Sequence, residues 1–157
     1  MLQVSSGFKS KILGRQAFED IFNGGAILIF SGTRPGTADD AYPDAPVAMI
    51  TQRGLPWTAI AGVNGINFKT YGPYVELDVG RQAQMTIFSA ASARWFRLLA
   101  PNDSNNPSFT ECRIDGDIGL KGSGSPQELQ LDSLDIDPNT TIPFNSFLYT
   151  IPPLLGA

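Results

Sequence analysis

The run Ala26-Ile27-Leu28-Ile29-Phe30-Ser31 constrains this chain more than any other stretch. It is apolar throughout, of strand length, and without the polar alternation of a half-exposed strand, so it reads as a strand covered on both faces. It ends abruptly. Gly32 to Pro46 holds three prolines, two glycines and Asp39, Asp40 and Asp44, which rules out regular structure there. A segment of that length without structure of its own is a candidate contact loop.

Before this strand, Phe8, Ile12, Phe18, Ile21 and Phe22 fall mostly on helical spacings. They predict one amphipathic helix over residues 6–23, with Ser5 or Ser6 as its cap and Asn23-Gly24-Gly25 as its stop. Gly14 inside it costs about 1 kcal/mol relative to Ala, so the helix needs docking, either on its own sheet or on a neighbouring subunit.

After the strand, short strands alternate with turns. Residues 47–52 form a second strand, and 55–65 a turn-broken connection anchored by Trp57. Residues 66–70 and 74–79 flank the Tyr71-Gly72-Pro73 turn, with Val75, Leu77 and Val79 facing inward. Residues 84–89 and 94–99 read as a hairpin, and 109–114 as a strand holding Cys112. Asp115-Gly116-Asp117 reads as a turn, and 120–126 as a Gly/Ser-rich loop. A strand over 128–136 carries a bulge between Leu131 and Leu134, and 141–151 is the last strand. Trp57, Trp95 and Phe96 are expected in the core. The 16 glycines, 12 prolines and low charged fraction of 17% suit many short strands. The expectation is a mainly β, single-domain antiparallel β-sandwich or jelly-roll-like fold over 1–157. It has one N-terminal helix, a β-rich body over 26–151 and an extended apolar arm over 152–157.

The composition argues against several chemistries. There is no histidine, which removes the commonest general base and metal ligand. The single Cys112 permits no internal disulfide and, on a strand without an activating histidine, reads as a small core residue. Net charge is −4 and the 11 basic residues are scattered, unlike a phosphate-binding surface. No apolar run approaches the ~20 residues that span a bilayer, and the opening residues lack a signal-peptide pattern. Asp115-Gly116-Asp117 has the start of a calcium loop, but no Glu follows before Glu128, and a tight turn is the simpler reading. Asp39-Asp40 reads as a solvated acidic tip. Expected, then, are no enzyme activity, no cofactor, no metal site, and neither nucleic acid nor membrane as partner.

The order of local motifs resembles small virion structural proteins of tailed bacteriophages. The resemblance rests on Ile27 to Thr33 followed by Ala38-Asp39-Asp40-Ala41, then Gly65-Ile66-Asn67-Phe68, Trp95-Phe96-Arg97, Arg113 to Gly119 and Leu129 to Ile136. Pro43, Pro46, Pro56 and Pro73 depart from it. The resemblance implies a virion protein made in the host cytoplasm. In the leading form it is a capsid decoration (cement) protein, a homotrimer that clamps the major capsid protein and stabilises the head. Its contact residues would be Phe8 and Phe18 on the helix, Arg34, Asp39 and Asp40 in the loop, and Leu154 and Leu155 in the arm. Alternatives are a tail, baseplate or fibre-attachment component, and a carbohydrate-binding adsorption module using Tyr42, Trp57 and Tyr71.

Overall fold

The computed structural model describes residues 2–124, 129–138, 141–143 and 147–150. In chain order the elements are β1 (Gln3–Val4), α1 (Ser6–Leu13), α2 (Phe18–Phe22), β2 (Ala26–Phe30), β3 (Ala48–Gln52), β4 (Phe68–Tyr71), β5 (Tyr74–Leu77) and β6 (Ala83–Ile87). There follow β7 (Ala91–Ser92), β8 (Trp95–Leu99), β9 (Arg113–Leu120), β10 (Leu129–Leu131), β11 (Asp135–Ile136), β12 (Thr141–Pro143) and β13 (Leu148–Thr150). The expected mainly β fold with a helical lead-in is the one the chain adopts.

An eight-stranded sheet runs in the order β1-β9-β8-β2-β3-β6-β12, with β10 pairing β9. Its pairings are antiparallel except β10 with β9, which is parallel. β2 sits in the middle, and all five of its residues are buried, as its unbroken apolar sequence requires. One face of the sheet presents Ile27, Ile29, Ala48, Ile50, Met85, Phe96, Leu98 and Ile114 to the main core. A three-stranded sheet, β13-β5-β4, and the two helices close over that face. Phe68 and Phe96 both meet Phe147 edge-on, with ring centroids 5.7 and 5.8 Å apart, which ties the two sheets together. The opposite face carries a smaller cluster of Leu28, Phe30, Trp95 and Leu99, covered by Tyr42 and Trp57 from loops and by Met49.

The predicted 6–23 helix is two helices. Ser5 caps the first, its Oγ accepting from the Phe8 amide at 3.2 Å. The helix then ends early. Gln16 N donates to Lys11 O and Arg15 N to Ile12 O, with Arg15 at φ 67°, the paired bonds of a Schellman stop. The break folds α2 back so that Phe18 and Phe22 pack on Phe8 at 5.9 and 5.3 Å. One continuous helix would carry them past it.

Gly24-Gly25 stops α2 for a reason beyond conformational freedom. A Cβ on Gly25 would lie 2.1 Å from Leu99 O, and one on Gly65 would lie 2.1 Å from Gly24 O. Backbone packs on backbone here, and Trp57 Nε1 donates to Gly24 O at 2.9 Å, which makes Trp57 the expected anchor of its connection.

Four strand expectations are corrected. The 84–89 and 94–99 segments are not a hairpin: β6 pairs β3 and β12, β8 pairs β2 and β9, and two strands separate them. Asp115-Gly116-Asp117 is no turn but the middle of β9, because the neighbours β1 and β8 supply hydrogen-bond partners on both sides. Gly116 is needed there because a Cβ would meet the Phe96 ring at 2.6 Å. The strand expected at 109–114 begins only at Arg113, leaving Phe109 in a bend and highly exposed. Finally, the bulge between Leu131 and Leu134 is a change of partner: β10 pairs β9, whereas β11 pairs β7.

Candidate functional site

The second face of the main sheet holds charge where a sandwich interior normally holds none. Pleating puts Trp95, Arg97 and Leu99 of β8 on that side, beside Arg113, Asp115 and Asp117 of the adjacent β9. Arg97, Arg113 and Asp115 are all fully buried. Lone buried charges are costly, so their pairing decides whether the fold tolerates them.

Arg97 is paired on every side. Its Nε and Nη2 donate to the two carboxylate oxygens of Asp115 at 2.7 Å each, a bidentate pair across neighbouring strands. Nη1 donates to Asp40 O, also at 2.7 Å. The guanidinium carbon lies 5.8 Å from the centroid of the Trp95 ring, within cation–π range. Trp95 in turn stacks on Phe30 at 4.2 Å.

Arg113 gathers the longer loops. Nε donates to Asp103 Oδ2 at 2.7 Å and Nη2 to Asn106 O at 2.7 Å. Nη2 also reaches Glu111 Oε2, and Nη1 donates to both Asp39 O and Asp40 O at 3.2 Å. Two arginines thereby fix the 32–46 loop through its main chain and hold the 101–112 loop against it. Ser108 N donates to Asp39 O at 2.9 Å and Tyr42 N to Asn105 Oδ1 at 2.9 Å, closing the loops on each other.

The helical lead-in joins the same cluster. Ser5 Oγ donates to Glu111 O and accepts from the Arg113 amide, both at 2.9 Å. The Asp39 carboxylate accepts from Ser6 N and Ser6 Oγ at 2.7 Å each. A Cβ on Gly7 would sit 2.3 Å from Thr110 O, so the first turn of α1 lies directly on the 101–112 loop.

Electrostatics follow from these contacts. Burial raises the pKa of Asp115 above the usual carboxylate value, against the opposing hydrogen bonds and charge of Arg97 and the charges of Arg34 and Arg113. For Arg113, burial acts to lower the value, but the hydrogen bond and charge of Asp103, then the charges of Glu111 and Asp115, raise it on balance. Arg113 therefore stays a cation. Burial likewise raises the Cys112 thiol and, with Asp103, the Tyr42 phenol.

The residues expected at a partner surface fare differently. Phe8 and Phe18 are buried in the chain's own core, so they are spent on folding and present no outer face. Asp39 uses its carboxylate on Ser6 and its carbonyl on Arg113, which corrects the reading of a solvated acidic tip for Asp39. Asp40 is exposed, although its carbonyl also serves both arginines. Arg34 lies 3.4 Å from Asp117 in a partly exposed pair, a geometry worth at most about 1 kcal/mol. Leu154 and Leu155 lie outside the described residues, as does the 152–157 arm. Trp95 and Phe96 are core residues as expected, and so is Cys112.

Tyr42, Trp57 and Tyr71 do not form one aromatic platform. Tyr42 and Trp57 pack on the Leu28 cluster, while Tyr71 stands exposed at the end of β4 in the small sheet.

Large apolar side chains nevertheless remain outside: Leu13, Leu55, Ile60, Val63, Phe88 and Phe109. Ile60 and Val63 sit on a tight loop whose Ala61 amide donates to Asn102 Oδ1 and whose Ala59 carbonyl accepts from Asn102 N. Among the described residues no group of three or more His, Cys, Asp or Glu side chains is placed to hold a metal ion, and no helix is long and apolar enough to cross a membrane. No protein-family model matches the chain, and neither does a curated protein or a solved structure.

Proposed function

We propose that this chain is a structural subunit of a tailed-bacteriophage virion, a capsid decoration protein that binds the major capsid protein as a homotrimer and stabilises the head. The observation that carries the reading is the combination of clamped loops and exposed apolar side chains. Arg97 and Arg113 hold the 32–46 and 101–112 loops from inside, while Phe109 stands exposed on the second of these loops and Ile60 and Val63 on the tight loop that Asn102 hydrogen-bonds. Ordering a loop before binding removes an entropic cost from the association. Repeating a modest contact over a symmetric shell then multiplies its effect.

The order of motifs from Ile27 to Ile136 supports the phage assignment, and the buried arginines give two of those motifs a physical role. Trp95-Phe96-Arg97 and Arg113 to Gly119 are the two strands that carry the clamp. A place in the tail or baseplate would use the same rigid scaffold and is separated by location in the particle. The test is reconstitution. Shells lacking this chain should release their contents at a lower temperature, and adding the purified protein should raise that temperature to the level of complete particles. Failure of the protein to bind such shells overturns the decoration reading.

A further inference from the structure

A second feature lies on the clamped face but outside the clamp. Met49 and Thr51 of β3, Thr86 of β6, Phe88 just beyond it, and Gly54 to Trp57 line an open groove of about 240 Å³. None of these residues is charged. The two hydroxyls of its floor are already used: Thr51 Oγ1 donates to Leu55 O at 2.6 Å and Thr86 Oγ1 to Gly54 O at 3.1 Å. The Trp57 indole N–H is turned away to Gly24 O. What remains for an occupant is apolar and partly aromatic surface, with Leu55 and Phe88 exposed on its rim. Its volume falls below the ~300–1,000 Å³ of drug-sized ligand pockets. Aromatic-lined grooves take short proline-rich segments in the polyproline II conformation at low entropic cost.

One segment of this chain has that chemistry. Ile151-Pro152-Pro153-Leu154-Leu155-Gly156-Ala157 carries no charged side chain and holds the sequence's one Pro-Pro pair. At roughly 3.1 Å per residue, such a segment reaches about 22 Å when extended. The described strand that precedes it, β13, pairs with β5 in the small sheet, which covers the opposite face of the main sheet. A segment leaving β13 starts across the sheet from the groove.

We infer that the groove formed by Leu55, Pro56, Trp57 and Phe88 is the receptor for the 151–157 segment of a second copy of this chain. Head-to-tail donation of this kind joins copies through unlike surfaces and closes into a ring when the rotation permits. The inference rests on the self-associating part of the proposed function and supplies its contact.

The test uses complementary variants in solution. Phe88→Asp breaks the groove while leaving the segment, and Phe88 is exposed enough for the fold to tolerate the change. Deleting residues 152–157 removes the segment while leaving the groove. Sedimentation velocity should show the full chain associated and each variant about tenfold or more weaker in self-association, since one buried aromatic or leucine contact is worth that much. An equimolar mixture of the two variants should form a one-to-one complex, because one supplies the groove and the other the segment. A mixture that stays monomeric overturns the inference, as does a full chain that is monomeric at every concentration. Circular dichroism of each variant shows that the fold is kept, and Leu155→Asp replaces the deletion if it is not. Unchanged association of both variants would refute the groove contact, and normal incorporation of those variants into particles would leave the virion role standing.

Discussion

Replacing Arg97 with Met probes the clamp at its strongest point. The substitution keeps the hydrophobic stem over Trp95 but removes the guanidinium, leaving the Asp115 carboxylate at 0% exposure without its bidentate partner. Breaking a buried pair on one side costs about 3–5 kcal/mol. The Asp40 carbonyl loses one donor but keeps Arg113 Nη1 at 3.2 Å, so little is added there. With a urea m-value of about 2 kcal/mol/M, the unfolding midpoint should fall by about 2 M. Asp115→Leu should cost a similar amount by stranding the guanidinium. The double variant Arg97→Met/Asp115→Leu removes both charges and should return to within about 1 kcal/mol of the parent, where additivity would demand a loss of about 8. Equilibrium urea unfolding of the four proteins checks this. A single-variant cost below about 1 kcal/mol, or a double-variant cost near the sum, would refute the claim that the pair is a coupled, desolvated unit.

Other perturbations follow from the same contacts. Gly25→Ala drives a methyl group toward Leu99 O at 2.1 Å and should destabilise the fold by about 2 kcal/mol or more, read by thermal unfolding. Trp57→Phe keeps an aromatic ring but loses the pyrrole N–H and its 2.9 Å bond to Gly24 O, and should cost about 1 kcal/mol or more in the same assay. The Cys112 thiol, raised by burial, should resist a thiol reagent in the folded protein and react on unfolding. Because its folded pKa lies above its unfolded one, its contribution is present below the ordinary thiol pKa of about 8.5 and is lost as pH rises from there toward the folded value. Stability should therefore fall over that range relative to Cys112→Ala.

Local pattern carried the sequence reading as far as local physics reaches. The unbroken apolar run of β2 and the alternation of Val75 and Leu77 in β5 are consequences of burial on two faces or one, and both are visible in the residues themselves, whereas Val79, expected on the same inward face, lies in a turn beyond the end of β5 and is exposed. The break after Leu13 was not, because Arg15 takes the left-handed position usually given to glycine and the strong Gly24-Gly25 signal lay further on. Asp115-Gly116-Asp117 resembles a turn when read alone. Its place in β9 is set by β8 and by the Phe96 ring over Gly116, both distant in sequence. The same holds for the clamp. Arg97 and Arg113 look like surface charges until strand register brings Asp115 opposite Arg97, and loop closure brings Asp103 to Arg113. The expected contact residues Phe8 and Phe18 failed for the converse reason, since apolar spacing marks a buried face without saying which surface buries it. A signal was present in the opposite charges at Arg113 and Asp115, two apart and so on one face of a strand, but it required recognising the strand first.

The most direct test of the virion role is the copy number of this chain per purified particle, measured against the major capsid protein by quantitative mass spectrometry. A decoration protein should be present in numbers comparable to the capsid subunits. A handful of copies would contradict that and place it in the tail or at a single vertex, and its absence from the particle would contradict the virion role altogether.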